Sequence, residues 1–222
     1  GSGTATPVGT ESARKYVTVL FADISGFTAM SEKLDPEEVT DLMNGCLKRL
    51  AETVDKYEGY VDKFVGDCIM GLFGAPVAHE NDPELAVRCA LEMNQVTLEY
   101  NKTLPVKLEK PLMLHTGINS GMVVAGGVGS DANMSYTVMG DTVNLASRLE
   151  SIAGNGQIFI SKYTHNLVRS KFAFNEHEPI KVKGKRDPVS VFEVTGVRTS
   201  RTKETTAKKS KTPLIGRSQE ME

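Results

Sequence analysis

The stretch VTVLFAD (residues 17–23) decides how this chain can fold. A short apolar run rich in β-branched residues and ending in a carboxylate is typical of a buried central strand. This interpretation places Asp23 at the tip of the strand. The ISGFT segment (24–28) follows, and its small residues allow the backbone to bend so that successive N–H groups face a polyphosphate.

Two amphipathic helices are predicted after this strand. Asp35, Pro36 and Glu38 supply an N-cap, a first-turn proline and a capping-box acid, and apolar residues recur at helical spacing as far as Val54. A second helix begins at Asp82 with the same start signal. Between the two helices, YVDKFVGDCIMGLFG (60–74) predicts two strands hinged at Gly66-Asp67, with a second acid at the turn.

The remaining pattern predicts further strands and two shorter helices. A strand pair is expected within 112–129, followed by a loop and the short segment SYTVMG (135–140). Further strands are expected near 157–161, 172–183 and 188–195, with helices over 142–152 and just after Ser161. Strands alternating with helices in this way indicate an α/β (α+β) sandwich, a ferredoxin-like mixed β-sheet with helices packed on one side.

Length and composition fit one well-buried α/β domain with short flanking segments. With 222 residues and 40% apolar content, we expect a domain over 16–197, after a disordered or cloning-derived segment (1–15). Residues 198–211 contain six Lys/Arg and one Glu. This run predicts a solvated basic linker within a tail over 198–222. Its last ten residues, PLIGRSQEME, either resemble the opening of an NTPase module or form an ordinary surface tail.

Several function classes are disfavoured by composition. The body of the domain is acidic, so no nucleic-acid partner is expected. No apolar stretch approaches membrane-spanning length, and no signal pattern opens the chain. Cys46, Cys68 and Cys89 show no CxxC spacing, so neither a disulfide framework nor a zinc site is indicated. We therefore expect a cytoplasmic protein with no membrane segment.

Asp23 and Asp67 are the first candidates for chemistry. Either acid alone has an ordinary explanation as a cap or turn residue. Two carboxylates side by side repel each other unless a divalent cation neutralises them, and oxygen ligands suit Mg²⁺ or Mn²⁺ bound together with phosphates. Asn144 and Arg148 share one helix face, either as solvated residues or as groups that contact ribose and phosphate. Lys183 and Lys185 fit either an edge-strand charge run or phosphate contacts.

Four blocks of the chain, in order, resemble the class III nucleotidyl cyclases. They are FADISGFTAMSEKL (21–34), KFVGDCIMGLFGAP (63–76), YTVMGDTVNLASRLE (136–150) and VKGKRDPVSVFEV (182–194). The resemblance spans about 16–197. It implies a lyase that makes a cyclic nucleotide for signal transduction, with two divalent cations (Mg²⁺ or Mn²⁺) per site at a homodimer interface.

The resemblance also implies a role for each site residue. Asp23 and Asp67 become ligands of both metals, with the Ile24 carbonyl as an additional ligand. Asn144 and Arg148 become the transition-state pair, and Lys183 contacts the terminal phosphates. The turn residues Ser25, Gly26, Phe27 and Thr28 join the substrate site. Lys63 and Thr137 occupy the base-reading positions. The resemblance places Lys63 with the metal acids on one subunit, and Thr137, Asn144, Arg148 and Lys183 on the other.

Thr137 and the DISGFTAMSEK stretch resemble the bicarbonate-stimulated soluble adenylyl cyclases. A lysine facing adenine N1 and a hydroxyl accepting from the 6-amino group fit ATP, and guanine reverses both polarities. We therefore expect ATP as substrate, cyclic AMP as product and bicarbonate as a stimulating partner. The alternatives are a guanylate cyclase and a catalytically silent dimerisation or nucleotide-sensing module.

Overall fold

The computed structural model describes residues 13–26, 30, 34–105, 108, 110–130, 133–181 and 186–198. Within them lie eight strands and four helices. The strands are β1 (Ala13–Ser25), β2 (Tyr60–Val65), β3 (Cys68–Phe73), β4 (Met113–Ser130), β5 (Asn133–Met139), β6 (Ile158–Ser161), β7 (Phe172–Ile180) and β8 (Val189–Val197). The helices are α1 (Pro36–Lys56), α2 (Asp82–Thr103), α3 (Asp141–Ile152) and α4 (Lys162–Val168).

One mixed sheet organises the domain. Its order is β2-β3-β1-β4-β6-β8-β7, with β5 paired to the distal part of β4. All described pairings are antiparallel except that between β4 and β6. The predicted strand at 17–23 is confirmed as the centre of β1, which pairs with β3 on one side and β4 on the other. The expected fold class is therefore confirmed.

The two faces of β1 bury different clusters. Leu20, Ala22 and Ile24 pack with apolar residues of α1 and α2, in the main core. Val17 and Val19 pack on the other face with Ala146 of α3. Side chains alternate along a strand, so Asp23 shares the α3 face with Val17 and Val19. The two helix layers explain why β1 is apolar on both sides.

The placement of α3 corrects the expectation that helices lie on one side of the sheet. This helix approaches β4 so closely that a Cβ at Gly117 would collide with the backbone of Ala146 and Glu150. Glycine at 117 therefore allows α3 to lie against the sheet on the face opposite α1 and α2.

The predicted strand pair within 112–129 is also wrong, because β4 is a single strand of 18 residues. Gly121 interrupts the apolar pattern without making a turn. A Cβ there would come within 2.6 Å of Thr142 Oγ1, and Thr142 donates to the Met122 carbonyl at 2.8 Å. The glycine thus makes room for the start of α3.

The ends of the domain differ slightly from expectation. β1 begins at Ala13, which pairs with Ala125 of β4, so ordered structure starts ahead of residue 16. The last strand, predicted near 188–195, spans Val189–Val197. In the described ranges, no helix is both long and apolar enough to cross a membrane.

Candidate active site

Asp23 and Asp67 meet where β1 runs beside the β2–β3 hairpin. Asp23 lies opposite Cys68 of β3 and His115 of β4, and the Ile24 N–H donates to the Asp67 carbonyl at 3.3 Å. Gly66 has a φ of 63°, which gives the tight turn that presents Asp67. The structure therefore brings together the two acids singled out in the sequence.

The surroundings of Asp23 raise the pKa of its carboxyl group. Burial, the neighbouring Asp67 charge and a hydrogen bond with Asp67 raise the pKa of Asp23 to about 6, against an ordinary value of 3.8. Two carboxylates held side by side fit a divalent cation that shares its coordination with phosphate oxygens. In the described part of the chain, no group of three or more His, Cys, Asp or Glu could hold a metal ion.

Glu150 is an acid that the sequence did not single out. It lies on α3, and burial followed by the nearby Asp23 charge raises its pKa. It is the last residue of the YTVMGDTVNLASRLE block, where nothing in its spacing separates it from an ordinary helix-surface acid. The packing of α3 on β4 at Gly117 brings it towards the aspartate pair.

Lys63, Thr137 and Asp62 form a second polar cluster. Lys63 Nζ donates to Thr137 Oγ1 at 3.0 Å, and that hydroxyl donates to Asp62 Oδ2 at 2.9 Å. β2 and β5 are separated by three strands in the sheet, yet the rings of Tyr60 and Tyr136 meet edge to face, 6.2 Å apart. β2 and β5 therefore meet although they are not neighbours in the sheet.

This cluster bears on the predicted division between subunits, which places Lys63 with the metal acids and Thr137 on the other chain. The side chains of Lys63 and Thr137 are hydrogen-bonded to each other within one chain, although the resemblance places them on opposite subunits. Lys63 therefore lies beside Thr137 of its own chain.

Asn144 and Arg148 lie on α3 as predicted, with Asn144 exposed and Arg148 half-buried. The helix start is fixed by Asn119, whose side-chain amide donates to the Thr142 carbonyl at 3.0 Å. Among the residues that the structure covers, no side-chain hydrogen bond or ion pair joins Asn144 or Arg148 to Asp23 or Asp67. The two halves of the expected site are thus unconnected in one chain.

The ISGFT turn is described in part. Ser25 Oγ donates to the Met113 carbonyl at 3.2 Å, Gly26 has a φ of 95°, and the Ile24 side chain is buried in the core. Its carbonyl as a metal ligand stays a prediction. Phe27, Thr28, Lys183 and Lys185 lie outside the described residues.

Comparison with known proteins places this geometry in a family. The model for the adenylate and guanylate cyclase catalytic domain matches residues 10–196. The chain belongs to this family. An adenylate cyclase of Anabaena cylindrica is 33% identical over 84% of the chain and 38% of its own length. The chain spans about a third of the length of such curated relatives.

Solved structures of this family have the same fold. The adenylyl cyclase CyaB from P. aeruginosa superimposes with a TM-score of 0.79 at 38% identity, covering 86% of this chain and all of that one. The guanylyl cyclase Cya2 gives 0.80 at 38% identity, covering 85% of this chain and 96% of that one. An adenylyl cyclase and a guanylyl cyclase are therefore equally similar to this cyclase domain. The base that it prefers has to be inferred from its own site.

Ionisation of Asp23 is expected to destabilise the metal-free domain as the pH rises from about 4 to about 6. The folded chain holds the Asp23 proton more tightly than the unfolded chain, so this stabilising contribution is present at low pH and lost above the folded pKa. Asp23→Asn removes the titration. Its Tm should match wild type near pH 4 and exceed it at neutral pH, measured by circular dichroism with chelator present. Parallel Tm curves for the two proteins would contradict the raised pKa of Asp23.

Proposed function

We propose that this domain is an adenylate cyclase that converts ATP to 3′,5′-cyclic AMP and pyrophosphate in a homodimer. The observation that carries the choice of ATP is the 3.0 Å contact between Lys63 Nζ and Thr137 Oγ1. An ammonium and a hydroxyl side by side offer a donor to adenine N1 and an acceptor to its 6-amino group. Guanine carries N–H and C=O at those positions, so in the same site it would place donor against donor and acceptor against acceptor.

Asp23 and Asp67 are proposed to hold two Mg²⁺ or Mn²⁺ ions. When bound, these ions lower the pKa of the ribose 3′-hydroxyl and neutralise charge on the triphosphate. The paired carboxylates are suited to bind these ions, because their mutual repulsion is relieved only by a cation or a proton.

The remaining residues are proposed to orient the nucleotide and its charge. Asn144 orients the ribose, and Arg148 neutralises charge on the α-phosphoryl oxygens. The 3′-oxygen then bonds to the α-phosphorus in line, the bond to pyrophosphate breaks, and the hydroxyl proton passes to solvent or substrate. Lys183 is proposed to contact the terminal phosphates.

A second copy of the chain is the proposed partner. Within one chain the Asn144–Arg148 face is not connected to the aspartate pair. Exposed apolar side chains also line the strands that carry the site, and such surfaces mark interaction sites. They are Phe64 and Val65 of β2, Met122 and Val124 of β4, and Met139 of β5. Bicarbonate stimulation, which rests on Thr137 and the DISGFTAMSEK resemblance, stays a prediction.

The test of substrate choice is a base swap. Wild-type protein incubated with Mn²⁺ is expected to form cyclic AMP from ATP faster than cyclic GMP from GTP, as measured by chromatography. Lys63→Glu combined with Thr137→Cys reverses the donor and acceptor positions, and should shift the ratio of kcat/KM towards GTP by about 100-fold. Asp41→Asn on the exposed face of α1 is the control.

The rival functions give different outcomes in the same assay. Preference of the wild type for GTP would identify a guanylate cyclase. No product from either nucleotide, with dimers present, would indicate the silent module. Unchanged ATP preference in the double variant would remove Lys63 and Thr137 from base reading.

A further inference from the structure

Asp62 is the extra residue of a β-bulge. Val61 pairs with Gly71 and Lys63 pairs with the next residue, Met70, so Asp62 has no partner in the register. Neighbouring strand residues ordinarily point to opposite faces, and a bulge redirects one of them. Here both Asp62 and Lys63 reach Thr137 Oγ1, at 2.9 and 3.0 Å.

The carboxylate of Asp62 is buried and only half satisfied. Its side chain has no solvent-accessible surface, and its Oδ2 lies 3.1 Å from Lys63 Nζ. Its other carboxylate oxygen, Oδ1, is buried without a hydrogen-bond partner among the residues described. A buried acceptor left unpaired destabilises a protein. One oxygen of this buried carboxylate therefore lacks a partner, while the other is held by Lys63 and Thr137.

The hydrogens of the cluster can be counted. A threonine hydroxyl has one proton and two lone pairs, and a carboxylate has only lone pairs. The Thr137 proton is donated to Asp62, and one lone pair accepts from Lys63. One lone pair is left. Towards a bound base, the hydroxyl is therefore an acceptor and not a donor.

We propose that Asp62 is a specificity-determining positioning residue for the nucleotide base. By taking the Thr137 proton, it makes the hydroxyl accept from the 6-amino group of adenine and leaves a 6-oxo group without a donor. Asp62 thus selects 6-aminopurine over 6-oxopurine triphosphates without contacting the base itself. This inference rests on the proposed base-reading role of Lys63 and Thr137.

The test compares ATP with inosine triphosphate, which differs only at the 6-position and N1. Asp62→Leu, which has the same number of side-chain heavy atoms and the same branching, frees the Thr137 proton to meet a 6-oxo group. The ratio of kcat/KM for ATP over inosine triphosphate should fall about tenfold, because inosine triphosphate turnover rises while ATP turnover does not. Asp62→Ala is the second variant if Leu prevents folding.

Asp62→Asn is the matched control. It retains an oxygen that accepts from Thr137 and Lys63 but removes the charge, so it should keep the wild-type ratio. A variant that merely loosens the site lowers turnover of both nucleotides and leaves the ratio in place. In a Thr137→Val background, Asp62→Leu should have no further effect on the ratio.

The outcomes separate this inference from the proposed function. Wild-type protein that fails to form cyclic AMP from ATP would overturn the function. Wild-type preference for ATP that persists unchanged in Asp62→Leu and Asp62→Ala would overturn the role of Asp62 alone. Equal loss of preference in Asp62→Asn would show that charge, and not the direction of the hydrogen bond, sets selectivity.

Discussion

Asp23→Ala and Asp67→Ala are each expected to lower cyclisation of ATP by about 1,000-fold or more, a loss of about 4 kcal/mol of transition-state stabilisation. Each removes one of two carboxylates that the β1 end and the hairpin turn hold side by side. Turnover is measured at saturating Mn²⁺, so that weakened metal binding is not confused with lost chemistry.

Folding is the control for these variants. Asp23 and Asp67 are mutually repulsive in the metal-free chain, so removing either should leave the Tm in chelator unchanged or higher. Addition of Mn²⁺ should raise the Tm of wild type and not of the variants. Asp55→Ala, at an exposed position of α1, should behave as wild type in both measurements. Near-wild-type turnover in either site variant would rule out the metal assignment.

Mixing two inactive variants is expected to restore activity if each site is built from two chains. In a heterodimer of Asp23→Ala and Arg148→Ala, one site receives both damaged residues and the other receives none. Random pairing makes half of the dimers heterodimers, so total activity should recover to about a quarter of wild type. Turnover is measured after the two proteins are mixed and exchange is shown by tagged pull-down.

Variants of the same half provide the matched control. Asp23→Ala mixed with Asp67→Ala damages both sites of every dimer and should stay inactive. Because Lys63 lies against Thr137 in one chain, Lys63→Glu should complement Asp23→Ala and not Arg148→Ala. Complementation in the opposite pattern would return Lys63 to the subunit of the metal acids. Heterodimers that form without activity would contradict sites shared between chains.

The local elements could be predicted because their signals are local. Asp35, Pro36 and Glu38 do begin α1, with the capping box formed and Pro36 in its first turn. The apolar run at 17–23 forms the middle of β1, and Gly66-Asp67 forms the hairpin turn. Asn144 and Arg148 share a helix. Capping, turn chemistry and apolar period depend on neighbours in sequence, which a single chain displays directly.

Tertiary structure decided which residues from different elements come into contact. The sequence marked Asp23 and Asp67 as strand-end acids, but only the pairing of β1 with β3 set them side by side. Asp62 and Glu150 had no local signal: one depends on a bulge, the other on the approach of α3 to Gly117. Thr137 meets Lys63 across 74 positions of sequence. Such contacts depend on how the sheet twists and curls, a property of all its strands together that no short stretch of residues carries.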